Sequence, residues 1–169
     1  MQFTVNEALV YTNLNFGKLI RWQAESFALA DDFMTAAIKL RAGVAWADGT
    51  PFTSADVKFK LKTIRDAPAE INGAASYHEW AVSVDAPDPL TGVITFTKPA
   101  PRFVRDFLAF GHENHYPILP QHIWQGQDIA TFTNYDPARG LPMGTGPYKL
   151  VSTRTNQQIF TGCGGHRRS

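Results

Sequence analysis

The run WADGTPFTSADVKFKLKTIRD, residues 46–66, constrains the fold more than any other stretch of this 169-residue chain. Asp48-Gly49 supplies the backbone conformations of a tight turn, and Pro51 fixes φ in the extended link beyond it. Thr53 then caps a helix, with Asp56 three residues on as the acidic arm of a capping box, placed at the positive end of the helix dipole. Val57, Leu61 and Ile64 recur at helical spacing and form one apolar stripe, while Lys58, Lys62 and Arg65 fall on a solvated face. Asp66-Ala67-Pro68 ends the helix. An amphipathic helix delivered by a tight turn needs an apolar surface to lie on, and the flanking sequence predicts a sheet.

Around Asp31-Asp32, the segments RWQAESFALA and FMTAAIKLRAG read as a half-buried hairpin, the second alternating Ile38 and Leu40 with Lys39 and Arg41. Residues 70–77, EINGAASY, lack periodicity and read as a loop. Residues 82–84 and 93–97 read as two short strands joined by a longer connection through Pro87, Pro89 and Gly92. Phe103, Val104, Phe107 and Leu108 mark a short helix with a core-facing stripe. A further short helix is expected near His122 and Trp124, and a strand at 148–151 after a turn-rich connection. GTGPYK, residues 144–149, lacks the spacing of a phosphate-binding loop and leads into a strand, so its glycines are expected to serve positive φ. The fold class is α+β, a mixed sheet with β-hairpins and packed helices.

Charge narrows the function. Sixteen basic against fifteen acidic side chains leave a net charge of +1, too little for a polyanion footprint, so no nucleic-acid partner is expected. A single cysteine, Cys163, forms no intrachain disulfide, and no stretch has the length and apolarity of a membrane span. The opening residues carry no signal-peptide pattern. No serine sits in a nucleophile elbow, and neither an enzyme activity nor a cofactor is expected. His112, Glu113 and His115 are the densest group of metal-ligand types, but their spacing is not that of two imidazoles on one helical face. A small metal-dependent hydrolase built on them is the alternative reading, with polar residues lining a pocket preferred and no metal expected. Tyr77, Trp80, Tyr116 and Trp124 lie in loop-like stretches, where aromatic faces suit stacking on sugars or peptide side chains.

Five segments in order, QAES at 23–26, IKLRAGVAWADGTPFTSADVKF at 38–59, VSVDAPDPLTGVITFTKPAPRF at 82–103, YPILPQHIW at 116–124 and GTGPYKL at 144–150, resemble family 5 of the bacterial extracellular solute-binding proteins. The resemblance implies part of a periplasmic-binding-protein type II-like lobe over 1–158, followed by a disordered tail over 159–169 that departs from the family pattern. It implies a receptor that captures a peptide or oligosaccharide between two lobes and hands it to an ABC permease, working in the periplasm or outside the cytoplasmic membrane. Its ligand-facing loops correspond to Tyr77 and Trp80, and to Asn114, His115 and Tyr116. Family members are longer, so the chain is expected to be a truncated piece that binds weakly alone, with its sequence interrupted near residue 159. Unpaired strand edges would favour a homodimer.

Overall fold

The computed structural model describes residues 5–13, 15–71, 74–110, 117–154 and 157–162. Strands β3 (Ala24–Leu29) and β4 (Thr35–Leu40) form the expected hairpin, and β4 continues antiparallel onto β6 (Thr91–Phe96) and then β5 (Ala81–Asp88). The sheet order is β3-β4-β6-β5. Alternation on β4 turns Ala36, Ile38 and Leu40 inward, and on β6 it does the same for Gly92, Ile94 and Phe96. Helix α1 (Ser54–Asp66) brings Val57, Leu61 and Ile64 into the same core. Its box is closed by the Thr53 amide donating to the Asp56 carboxylate, 2.9 Å, and the turn before it has Gly49 at φ +92°, where a side chain would be strained.

A second sheet, β2-β1-β7, pairs β1 (Val10–Asn13) antiparallel with β2 (Lys18–Arg21) and parallel with the two-residue β7 (Ala109–Phe110). A π-helical turn, Val104–Leu108, leads into β7 and buries Phe103, Val104 and Leu108 as the core-facing stripe. The short helix α3 (Gln121–Trp124) lies where it is expected, and β8 (Tyr148–Arg154) pairs with β9 (Gln157–Gly162) as a separate hairpin.

Four expectations change. Residues 70–77 are not all loop: α2 spans Ala74–Trp80, because alanines are the strongest helix formers even where small residues blur the periodicity. The hairpin of β5 and β6 turns at Pro89-Leu90, Asp88 pairing with Thr91, so its connection is short. Pro87 is tolerated because β5 is an edge strand with a register shift between Asp85 and Asp88. Gly144 serves close approach rather than positive φ: a Cβ there would lie 2.0 Å from the Val5 carbonyl oxygen. The tail does not begin in disorder at 159, since β9 stays paired with β8 across the 158/159 boundary and, through one register shift, to Gly162, and residues 163–169 lie outside the described residues.

Candidate functional site

The turn and helix start of residues 46–56 are joined to the 117–124 segment by one carboxylate. Asp56 is buried and accepts from the Trp46 indole (3.3 Å) and the Thr53 amide (2.9 Å) on Oδ2, and from the Gln121 amide (3.0 Å) on Oδ1. Asp48 adds a second tie, 2.9 Å from His122 Nε2. Partial burial alone would raise the Asp48 pKa, but donation from Thr50 and His122 outweighs it and holds the group below its ordinary value. The capping-box acid is thus also the anchor of a distant segment, a role local spacing does not reveal.

Helix α2 sets Tyr77 and Trp80 three residues apart, and the two meet different surroundings. Tyr77 is fully buried, its ring edge-on to Phe103 with centroids 6.1 Å apart. Phe103 in turn packs on Phe96, 4.7 Å between centroids. The Tyr77 hydroxyl accepts from Lys60 Nζ at 2.9 Å. Lys60 is also fully buried, and among the described residues no carboxylate pairs with it. Burial alone lowers its pKa to about 7. Its position, three residues after Val57 and four before Ile64, places it on the apolar stripe, which is the sequence signal that marks it.

Trp80 is half-buried and faces a cavity. The Lys98 ammonium lies 4.1 Å from its ring centroid and is itself paired with Glu79. The Thr97 amide donates to the Trp80 carbonyl, 3.0 Å, and the Thr97 hydroxyl to the Glu79 carbonyl, 2.7 Å. The end of α2 is therefore pinned to the exit of β6, which fixes the indole. Trp80, Ala100, Pro101, Arg102, Phe103 and Asp106 line a slot of about 290 Å³. Arg102 and Asp106 stand 3.4 Å apart at its rim. A wider, more open groove of about 520 Å³ runs between α1 and residues 121–129, with Phe59 as its one aromatic among the described residues and mostly polar side chains otherwise.

Of the residues expected to face a ligand, Trp80 lines the slot and Tyr77 stands behind its floor, where a side chain with no accessible area touches no ligand directly. Asn114, His115 and Tyr116 lie outside the described residues, as do His112 and Glu113. Of the other histidines, His78 is exposed on α2 and His122 is held by Asp48. Among the described residues no group of three histidine, cysteine or acidic side chains is disposed to hold a metal, and no helix is long and apolar enough to cross a membrane. Phe103, Arg102 and Lys98 belong to the site but were not marked by the sequence as more than a core stripe and its polar flank.

This architecture has clear relatives. The family model for bacterial extracellular solute-binding proteins, family 5 Middle, matches residues 18–160. The glutathione-binding protein GsiB of Escherichia coli K12 is 32% identical over 134 residues, covering 79% of this chain and 24% of GsiB. A periplasmic oligopeptide-binding protein of an oligopeptide ABC transporter from Thermotoga maritima superposes with a TM-score of 0.78 at 25% identity, over 96% of this chain and 28% of that one. The same Thermotoga protein has been crystallised with mannohexaose. NikZ of Campylobacter jejuni, solved with Ni(L-His), gives a TM-score of 0.73 at 25% identity, over 95% of this chain and 30% of that one. The chain spans about a quarter of the length of the curated relatives it matches. Its fold is that of the type II-like periplasmic binding proteins, its relatives are solute-binding proteins rather than enzymes, and nothing in them supports the hydrolase alternative. By family model, sequence relatives and fold alike, this chain belongs to family 5 of the bacterial extracellular solute-binding proteins.

Proposed function

We propose that this chain forms one wall of the ligand cleft of a substrate-binding component of an ABC importer, which captures a peptide or oligosaccharide without covalent chemistry and delivers it to a permease outside the cytoplasmic membrane. The observation that carries the reading is the slot between Trp80 and Phe103: an apolar concavity with a rigidly held indole and a few polar groups at its rim, the usual form of a small-ligand site. Among the relatives named above are a glutathione-binding protein and an oligopeptide-binding protein also crystallised with mannohexaose, which support such a wall, while NikZ was solved with Ni(L-His). Trp80 makes direct contact in this reading, while Tyr77 acts from behind by holding Phe103. Asn114, His115 and Tyr116, which lie outside the described residues, are further candidate ligand contacts on the family resemblance alone.

Two-lobed receptors gain most of their affinity by closing around the ligand. One wall alone therefore binds weakly, and isothermal titration of this chain with short peptides is expected to give no micromolar affinity. A micromolar or tighter constant would overturn the division of labour between two lobes. Association is also part of the reading, because Tyr148, Val151 and Ile159 of the β8–β9 hairpin and Ile20 of β2 are exposed. Apolar side chains on unpaired edges favour self-pairing. Sedimentation is expected to show concentration-dependent dimers, and a monomer at every concentration would refute that part alone.

A further inference from the structure

We infer that the Trp80–Phe103 slot takes the apolar side chain of a peptide's C-terminal residue, with the Arg102 guanidinium receiving the terminal carboxylate. This rests on the receptor reading above and narrows its ligand from peptide or sugar to peptide. The walls are an indole, a phenyl ring, a proline and an alanine, and the volume of about 290 Å³ lies at the lower end of small-ligand pockets. It suits one side chain rather than a chain of rings.

A pyranose carries hydroxyls around its whole edge, and each one buried without a partner is costly. Among the described residues only Arg102, Asp106 and the Trp80 indole N–H offer polar side-chain groups here. The backbone gives little more, since the amides of Ala100, Phe103 and Asp106 already donate to the carbonyls of Phe33, Ala100 and Arg102. A hydrocarbon or aromatic side chain makes no such demand. Its aromatic wall is also pre-organised: Lys98 and Glu79 hold the indole from outside the slot, so little freedom is lost on binding.

The carboxylate follows from the rim. Arg102 is well exposed and its pair with Asp106 is open to solvent, so separating the two costs little. Asp106 keeps a second cation nearby, Arg105 at 3.9 Å, and is not left unpaired when Arg102 turns to a ligand. A planar guanidinium freed in this way matches a carboxylate in two-point geometry.

The test uses the ¹⁵N-labelled chain and follows the four indole cross-peaks, with Trp80 assigned from its loss in Trp80→Phe. Ala-Ala-Phe as the free acid is expected to shift the Trp80 peak saturably. The C-terminal amide of the same peptide is expected to bind about three- to five-fold more weakly, and Arg102→Gln to erase that difference. Mannohexaose is expected to leave the peak in place. Equal affinity for acid and amide in the unmodified chain, or a shift with mannohexaose and none with peptide, would overturn the inference. If the peptide moves other resonances but not Trp80, the slot assignment fails and the receptor reading stands. If neither ligand moves any resonance, the inference fails and the receptor reading stands, since that reading already expects one wall alone to bind weakly.

Discussion

The brace at residues 46–56 and the slot at Trp80 sit on the same domain and handle polar groups in opposite ways. In the brace, the Asp56 carboxylate is buried and shared among four donors of this chain. At the slot, the Arg102, Asp106, Lys98 and Glu79 side chains are paired near the surface, where partners exchange cheaply. Both regions are rich in ionic and aromatic residues, so composition does not separate them. Burial does: a satisfied buried carboxylate builds a scaffold, and an exposed pair leaves its groups available.

The sharpest way to break this contrast is Asp56→Ala, which strips the Trp46 indole and the Thr53 and Gln121 amides of their acceptor. It is expected to cost about 3 kcal/mol or more, read from urea denaturation. A loss below 1 kcal/mol would show that the brace holds nothing. Next comes Lys60, which joins the two regions by reaching from α1 to Tyr77. Unfolded, a lysine keeps its proton to about pH 10.5, while here it is released near 7, so between those limits the unfolded state holds the extra proton. Stability should then rise with pH by up to about 1.4 kcal/mol per unit, and Lys60→Met should flatten that slope. An unchanged slope in the variant would assign the pH dependence elsewhere.

Gly144→Ala forces the Val5 backbone to move and is expected to cost about 1–3 kcal/mol, measured as a fall in the urea midpoint. The smallest effect sharpens the contrast from the other side. Asp106→Ala should change stability by no more than about 0.5 kcal/mol, and a loss like that of Asp56→Ala would erase the distinction.

How much of this could be read from the chain varies with the range of the forces involved. The turn, the capping box and the stripe of α1 are local, set by Asp48-Gly49, Thr53, Asp56 and the spacing of Val57, Leu61 and Ile64, and they are legible. The β3–β4 hairpin is legible for the same reason, its alternation running through Ile38 and Leu40. The sheet formed by β1, β2 and β7 is not, because Val10 and Ala109 meet across nearly a hundred residues and neither strand carries a strong pattern. Helix α2 was hidden by its alanines, which favour a helix without writing a stripe. At the site, Trp80 could be picked out by residue type, but Arg102 and Asp106 gain their meaning only when the π-helical turn lays them over Phe103. Tyr77 shows the converse, an aromatic that looks free in the sequence and is enclosed in the fold.

The split coordination of Asp56 has an optical corollary. One oxygen holds the Trp46 indole and the other holds Gln121 at the start of α3, so any displacement of the segment that follows the proposed wall tugs on a chromophore some 75 positions earlier in the chain. Indole emission responds to the field of a nearby carboxylate. With the other three tryptophans replaced, Trp46 emission would read that displacement in an ordinary fluorimeter without a label.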